Sequence, residues 1–211
     1  MVKVLIVDDH PIVRNGLSGE IAKTSDITVV AEASDGDDAI AKVRSCTPDL
    51  VLLDIALPGK NGFEVLKQLQ AEAPQIKVLM LSAFSEKQYA VRCLKSGAKG
   101  YLTKKSAPAE LISAIRKVMR GGKYVSASFA ELLASEIDND TSRSPHEILS
   151  DREFQVLCLI GQGNTVSQIA DILSLSVSTV NTYRAHILDK MNMENSAQLI
   201  RYVLDNNLAD I

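Results

Sequence analysis

Three aspartates follow two apolar stretches that have the composition of buried strands. Asp54 comes directly after Leu50 to Leu53, and Asp8-Asp9 comes directly after the apolar run Val2–Val7. Continuous apolar runs of this length are typical of parallel strands that helices cover on both faces. In open α/β sheets, ligands bind beyond the carboxyl ends of the strands. We therefore expect the three carboxylates to meet at one edge of a parallel sheet.

The three carboxylates favour a cation site. Like charges at short range raise one another's pKa unless a cation neutralises them, and oxygen ligands suit a hard divalent ion such as Mg²⁺. Any single aspartate after a strand could instead cap a helix or a turn. A pair joined by a third at a matched strand end favours Mg²⁺ bound by Asp8, Asp9 and Asp54.

Two further polar residues follow later apolar runs. Ser82 comes after the run from Ile76 to Leu81, and Lys104 comes after Gly100–Thr103. A metal cradle, a carboxylate nucleophile, a hydroxyl and an ammonium together suit phosphoryl transfer, which depends on positioning and charge neutralisation. We expect Asp54 to attack phosphorus and become an acyl phosphate, while Mg²⁺, Lys104 and Ser82 contact the phosphoryl oxygens.

Residues 1–120 alternate between strand-like and helix-like patterns five times. This alternation predicts a five-stranded parallel sheet with helices on both faces. The predicted strands are 2–7, 27–31, 50–54, 76–81 and 100–103. The predicted helices are 36–46, 62–73 and 86–96, with two more that begin at Pro11 and Pro108.

The remaining residues divide into a connector and a helical domain. Residues 121–148 are predicted to form a mobile linker, with one short helix over 128–137 and a polar, turn-rich stretch after it. Residues 149–211 show helical periodicity, and two capping boxes (Ser150 with Glu153, Thr165 with Gln168) mark helix starts. Two short helices joined by a tight turn fit a helix-turn-helix, although the caps alone would also fit a four-helix bundle.

Composition limits the class of protein. The chain is 46% hydrophobic and 23% charged, which is ordinary for a soluble globular protein. Its apolar runs are shorter than the roughly 20 residues that span a bilayer, and its start shows no signal-peptide pattern. Cys46, Cys93 and Cys158 are far apart, which suggests neither a disulfide framework nor a zinc site. We expect a cytoplasmic protein that has no membrane partner.

The motifs of residues 1–120 resemble the receiver domain of two-component response regulators, which has a flavodoxin-like fold. The matching residues are Asp8-Asp9, Asp54 with Pro58-Gly59, Ser82-Ala83 and Gly100-Tyr101-Leu102-Thr103-Lys104. The resemblance implies that Asp54 is the phosphoacceptor and that Ser82 and Tyr101 form the switch pair. It also implies that Asp9, Asp54 and the backbone carbonyl of Ala56 bind Mg²⁺, with Asp8 acting through water.

Two departures from the receiver pattern have consequences. Lys105 stands where many receivers carry proline, which leaves the local loop geometry open. Ala56 and Phe84 are apolar at positions where polar side chains in the family help to position the attacking water. Their apolar character predicts slow autodephosphorylation.

Residues 149–211 resemble the LuxR-type DNA-binding domain, so the whole chain is similar to the NarL/FixJ class of response regulators. The matching residues are Leu149-Ser150-Asp151-Arg152-Glu153, Gly163, Ile169-Ala170, Leu175-Ser176, Thr179-Val180, Tyr183-Arg184, Ile187 and Lys190. The resemblance implies that the helix around Ser178 to Lys190 enters the DNA major groove. The residues expected at DNA are Ser178, Thr179, Asn181, Thr182, Arg184, Ala185 and Lys190, the last more suited to a phosphate than to a base.

Charge argues against tight binding by one such domain. From Leu149 on, four basic residues (Arg152, Arg184, Lys190, Arg201) face seven acidic ones (Asp151, Glu153, Asp171, Asp189, Glu194, Asp205, Asp210). The net charge of −3 of the whole chain therefore lies in this half. Because phosphate neutralisation dominates non-specific affinity, useful affinity is expected only from a dimer on two half-sites.

The resemblance implies a transcription factor that a sensor histidine kinase switches through Asp54, with promoter DNA, RNA polymerase and a phosphorylation-dependent homodimer as partners. It is not expected to be an enzyme beyond its own phosphorylation and dephosphorylation. Two alternatives stay open at this point. One is a Mg²⁺-dependent phosphohydrolase, for which Ala56 replaces the acid/base aspartate typical of haloacid dehalogenase phosphatases. The other is a DNA-binding protein with a vestigial receiver, against which the complete set of site residues argues.

Overall fold

The chain forms two compact units, Met1–Ala130 and Glu131–Ile211, which are described separately. The structure is a computed structural model, and it describes residues 1–84, 86–127, 129–131, 144–206 and 208. Within these residues, no helix has both the length and the apolar character needed to span a membrane.

The first unit contains a five-stranded parallel sheet with the strand order β2-β1-β3-β4-β5. The strands are β1 (Val2–Val7), β2 (Ile27–Ala33), β3 (Leu50–Asp54), β4 (Lys77–Ser82) and β5 (Gly100–Thr103). The helices are α1 (Pro11–Ala22), α2 (Gly36–Cys46), α3 (Gly62–Glu72), α4 (Glu86–Lys95) and α5 (Ala107–Met119). The predicted α/β class, strand count and flavodoxin-like topology are confirmed.

Burial of the central strands explains why their sequences are largely apolar. Every residue of β3 is buried, from Leu50 to Asp54. One face of the sheet packs against α1 and α5 through an apolar cluster that includes Leu17 and Ile21 of α1 and Leu111 and Ile115 of α5. Because helices cover both faces of a parallel sheet, buried polar groups gather mainly at the strand ends.

Local signals set the start of the helix that follows β3. Asn61 caps α3 in a capping box with Glu64, whose carboxylate accepts the N–H of Asn61. A Cβ on Gly62 would lie 2.1 Å from the backbone oxygen of Asp54. A side chain is therefore sterically excluded at this position, and glycine lets α3 begin directly against the end of β3.

The second unit contains four α-helices, α6 (Asp151–Gly161), α7 (Val166–Leu173), α8 (Val177–Lys190) and α9 (Ser196–Asp205) among its described residues. Both predicted capping boxes are present, at Ser150 and at Thr165. Between α7 and α8, Ser174 has a left-handed backbone (φ 51°) and Ser176 caps α8 through the N–H of Thr179. This tight turn gives α7 and α8 the helix-turn-helix arrangement.

The chain after α5 returns to the edge of the sheet. Tyr124 forms a parallel bridge with Gly100 of β5, and the backbone N–H of Tyr101 donates to the Tyr124 carbonyl at 2.9 Å. The start of the predicted linker is thus packed on the first unit. The helix predicted over 128–137 lies mostly outside the described residues.

Candidate functional site

The sheet topology brings the predicted carboxylates together. Because β3 lies next to β1 in the sheet, the ends of the two strands place Asp54 beside Asp8 and Asp9. One ligand atom from each of these three residues and from His10 lies within 4.8 Å of the others. Asp8 and Asp54 are almost completely inaccessible to solvent, at 0% and 1%. The three carboxylates therefore lie close together at the ends of the strands, as the sequence predicts.

Lys104 lies between two of the carboxylates. Its Nζ is 2.7 Å from Asp54 Oδ2, to which it donates a hydrogen bond, and 2.8 Å from Asp8 Oδ2. The backbone N–H of Lys104 also donates to the Ser82 carbonyl at 2.6 Å, which ties the lysine loop to the end of β4. The ammonium group of Lys104 therefore forms ion pairs with two buried carboxylates. It is close enough to Asp54 to contact a group attached to that carboxylate.

Burial and charge shift the acidities in opposite directions. Burial raises the pKa of Asp54, Lys104 acts to lower it and Asp8 acts to raise it, so that the resulting pKa is about 6. Burial works to lower the pKa of Lys104, but attraction to Asp54 and hydrogen bonds to both aspartates outweigh it, so that its pKa rises. Asp54 is consequently ionised in large part at neutral pH, as a carboxylate nucleophile must be.

The donor set fits a hard divalent cation. Asp8 Oδ2 and Asp9 Oδ1 are buried carboxylate oxygens. Lys104 Nζ lies 2.8 Å from Asp8 Oδ2, and His10 Nδ1 lies 2.6 Å from Asp9 Oδ1. Asp8 Oδ1 accepts the backbone N–H of His10 at 2.8 Å. Carboxylate oxygens are ligands that Mg²⁺ prefers.

The backbone around Ala56 and the two predicted switch residues are ordered by hydrogen bonds. The backbone N–H of Ala56 donates to Asp54 Oδ1 at 3.2 Å. Ser82 is fully buried, and its Oγ accepts the N–H of Phe84 at 3.1 Å. The buried Tyr101 hydroxyl donates to the Phe84 carbonyl at 2.8 Å, and burial raises its pKa well above the usual value. Ser82 and Tyr101 therefore both hold the backbone of Phe84.

Four of the seven residues predicted to contact DNA lie along one exposed face of α8. Ser178, Asn181, Thr182 and Ala185 are exposed and follow helical spacing, so they lie along the same side. Thr179 and Arg184 are half-buried, while Val180 and Ile187 point into the core. An exposed face of small polar side chains on the second helix of a helix-turn-helix can enter a major groove.

Lys190, at the end of α8, has a partner within the protein. Its Nζ lies 2.9 and 2.7 Å from the two carboxylate oxygens of Glu153. The same carboxylate accepts the backbone N–H of Ser150 in the capping box of α6, and the side chain of Glu153 is 4% exposed. Hydrogen bonding to Lys190 and Ser150 lowers the pKa of Glu153 although burial acts to raise it. One carboxylate thus joins the start of α6 to the end of α8.

Two features of these sites are not predicted from the sequence: the place of His10 in the carboxylate cluster and the ion pair between Glu153 and Lys190. His10 follows Asp8-Asp9 directly, so its position in the chain was a sufficient signal for its place in the carboxylate cluster. The ion pair between Glu153 and Lys190 joins residues 37 positions apart, and no local pattern marks such a pair.

Comparison with known proteins agrees with both halves of the chain. A family model of the response regulator receiver domain matches residues 4–116, and a model of the luxR family of bacterial regulatory proteins matches residues 147–203. The response regulator UvrY of Escherichia coli (strain K12) is 36% identical over 211 residues, covering 100% of this chain and 97% of UvrY.

Solved structures lead to the same family. RcsB of Salmonella typhimurium is 26% identical, with a TM-score of 0.60 and coverage of 97% of this chain and 98% of that one. A complex of RcsB with DNA is 26% identical, with a TM-score of 0.61 and coverage of 96% and 98%. These relatives are regulators, in contrast to the phosphohydrolases that the carboxylates alone also allow. The chain belongs to the NarL/FixJ family of two-component response regulators, with a receiver domain and a LuxR-type helix-turn-helix domain.

Proposed function

We propose that Asp54 is the phosphoacceptor of this regulator and that its phosphorylation controls dimerisation and DNA binding. The observation that carries the proposal is the buried Asp54 carboxylate at the end of β3, held 2.7 Å from Lys104 and beside Asp8. The ionised carboxylate, the ammonium group and the neighbouring acidic oxygens are the parts that phosphoryl transfer to aspartate needs.

In the proposed reaction, an Asp54 carboxylate oxygen attacks the phosphorus of a phosphohistidine on a sensor kinase. The new O–P bond forms as the N–P bond breaks, and the imidazole nitrogen leaves with the electron pair and takes up a proton. Lys104 Nζ already lies at the carboxylate and neutralises a phosphoryl oxygen. The Ser82 hydroxyl donates to another oxygen after its side chain turns towards Asp54.

Mg²⁺ is the cation proposed for Asp8, Asp9, Asp54 and the Ala56 carbonyl, with Asp8 acting through water. When bound, it would supply positive charge to the phosphoryl oxygens. The chain catalyses only its own phosphorylation and dephosphorylation in this scheme. Ala56 and Phe84 supply no polar side chain that could orient water, which supports slow loss of the phosphoryl group. A phospho-Asp54 half-life of seconds in the isolated protein would contradict this part.

The α8 face is proposed to read promoter DNA, with Ser178, Thr179, Asn181, Thr182 and Ala185 near bases or sugars. Arg184 would reach a base or a phosphate, and Lys190 a phosphate, in competition with Glu153. The existence of an RcsB–DNA complex supports this assignment. Because the half from Leu149 on carries net charge −3, one domain neutralises few phosphates, and we expect useful affinity only when two domains act together.

The remaining assignments complete the proposal. A sensor histidine kinase and RNA polymerase are the protein partners, and the cytoplasm is the compartment. The functional domains are 1–120 and 149–211, with 121–148 as connector; the packing of Tyr124 on β5 attaches the start of this connector to the receiver.

The test compares the full chain with Asp54→Ala and, as a matched control, Asp37→Ala. Asp37 is an acidic residue whose side chain is 82% exposed on α2 and forms an ion pair with Lys60. Each protein is incubated with Mg²⁺ and acetyl phosphate or beryllofluoride, and oligomeric state and binding to randomised DNA are measured with and without the donor.

We expect dimerisation and DNA binding to appear only with the donor, in the wild type and in Asp37→Ala but not in Asp54→Ala. DNA binding by Asp54→Ala that equals that of the wild type, and that the donor does not change in either protein, would contradict the switch and indicate a vestigial receiver. Steady release of phosphate from acetyl phosphate would instead indicate turnover as a phosphohydrolase.

A further inference from the structure

Two backbone attachments, besides the hydrogen bond from the Tyr124 hydroxyl to Glu110, fasten the first residues of the connector to the receiver. The backbone of Tyr124 pairs with β5, where its N–H donates to the Lys99 carbonyl and its carbonyl accepts the N–H of Tyr101, both at 2.9 Å. The backbone N–H of Ser126 donates to the carboxylate of Glu86 at 2.7 Å. We call residues 124–126 the strap. It is bound on one side to the sheet and on the other to the first residue of α4.

These two attachments differ in what they depend on. The Tyr124 bonds are backbone bonds to a strand, so they persist as long as the sheet does. The Ser126 bond depends on one side chain, Glu86, and therefore on the position of the first turn of α4. A displacement of that turn breaks the second attachment without disturbing the first.

The loop before α4 is held by both switch residues. Phe84 donates its N–H to Ser82 Oγ and accepts the Tyr101 hydroxyl at its carbonyl. When Ser82 turns towards a phosphoryl group on Asp54, its oxygen leaves the N–H of Phe84. Phe84 lies two residues before Glu86, so the first turn of α4 moves with it.

We propose that the strap carries the state of Asp54 to the connector through the bond between the Ser126 N–H and the Glu86 carboxylate. In the resting protein this bond holds the start of the connector against α4. Phosphorylation breaks it and detaches the Ser126 amide from α4. Glu86 is thus a positioning residue for the regulatory response, and this role rests on the proposed function of Asp54.

The experiment is residue-resolved hydrogen exchange of backbone amides in the full chain, with Mg²⁺ alone and with Mg²⁺ plus beryllofluoride. Loading of the Asp54 site is followed independently by the fluorine resonance of the bound beryllofluoride. The amide of Tyr124 serves as the internal reference, because its bond to the sheet is expected to survive in both states.

In the wild type, beryllofluoride is expected to accelerate exchange at Ser126 by at least about tenfold, the factor that loss of a hydrogen bond to a charged acceptor implies. In Glu86→Ala, exchange at Ser126 is fast in both conditions and no longer responds to beryllofluoride. Glu86→Gln keeps an acceptor oxygen and restores the response. Tyr124→Phe, which loses only the hydroxyl bond to Glu110 on α5, keeps the wild-type response.

The possible outcomes distinguish failure of the strap proposal from failure of the proposed phosphoacceptor role of Asp54, on which the strap proposal rests. A bound beryllofluoride resonance with unchanged or slower exchange at Ser126 overturns the strap and leaves the phosphoacceptor standing. A Glu86→Ala protein whose Ser126 amide still responds to beryllofluoride overturns it as well. Absence of the fluorine resonance in the wild type overturns the assignment of Asp54, and the strap with it.

Discussion

Replacing Asp54 by asparagine should stabilise the protein at neutral pH, although it removes the proposed phosphoacceptor. The carboxylate is 1% exposed, and its pKa in the folded protein is about 6 against 3.8 in an unperturbed chain. The folded protein therefore binds this proton more tightly than the unfolded chain does. Folding is most favourable with the group protonated, and stability is lost as the pH rises towards and through about 6.

The size of the effect follows from the pKa shift. About two pKa units at ~1.36 kcal/mol each correspond to ~3 kcal/mol of unfolding free energy lost between about pH 4 and pH 7. The attraction of Lys104 is already contained in that pKa, so it needs no separate correction. Asparagine has nearly the shape of the protonated acid and cannot ionise. We therefore expect Asp54→Asn to exceed the wild type by up to about 3 kcal/mol at pH 8 and by close to zero at pH 4.

The assay is urea unfolding of both proteins across this pH range without divalent cations, followed by circular dichroism. Because the chain has two compact units, the transitions are fitted separately. Asp37→Asn is the control, since an exposed ion pair contributes only about 0–1 kcal/mol. Adding Mg²⁺ should narrow the difference at pH 8, because a cation that binds the folded carboxylates stabilises only the wild-type site fully.

Two results would refute this reasoning. The first is an Asp54→Asn protein that is less stable than the wild type at high pH, which would mean that Lys104 stabilises the charged form more than burial opposes it. The second is a stability difference that does not change with pH, which would mean that the effect comes from packing and has no connection with ionisation.

Three further predictions concern other contacts. Gly161→Ala should destabilise the second unit by about 1–3 kcal/mol in the same unfolding assay, because its Cβ would lie 2.1 Å from Val203 Cγ1; an unchanged midpoint would contradict the close approach of α6 and α9. Tyr101→Phe should cost about 1–3 kcal/mol, since the Phe84 carbonyl loses its donor, and a neutral effect would contradict that bond. Glu153→Gln frees Lys190 while keeping the cap, so DNA binding should strengthen and the salt slope steepen by up to about 0.9 per domain; Ser150→Ala, which weakens the cap alone, should leave the slope unchanged.

The receiver fold was accessible from sequence because its signals are local. Each strand is a short apolar run, and Pro11, Pro108 and the residues around Gly62 mark helix starts that the structure reproduces. The convergence of Asp8 with Asp54 followed from one topological rule about strand ends. The hydrogen-bond partner of each polar group could not be predicted from sequence, because the partners are far apart in the chain. Lys104 and Asp54 are 50 positions apart, and Ser126 and Glu86 are 40 positions apart.

The C-terminal helices illustrate the same division. A capping box is a pattern of four consecutive residues, so it can be recognised from sequence alone. The capping boxes at Ser150 and Thr165 correctly predict the starts of α6 and α7. The resemblance implies a phosphate contact for Lys190, whereas its contact with Glu153 depends on the packing of α6 against α8, which no local sequence pattern indicates. A charged residue on a predicted recognition helix can therefore be engaged within the domain before any DNA arrives.

The charges of the receiver site indicate how the proposed phosphorylation of Asp54 would rearrange it. Asp8, Asp9 and Asp54 bring three negative charges and Lys104 one positive charge, so a divalent cation leaves the resting site neutral. A phosphoryl group on Asp54 replaces one negative charge by as many as two. No further cationic side chain is hydrogen-bonded to Asp54 among the described residues, so the excess must be met by neutral donors. The Ser82 hydroxyl is such a donor on the neighbouring strand, and a turn of its side chain towards Asp54 would draw its oxygen away from the N–H of Phe84, which is the movement that α4 and the strap are proposed to follow.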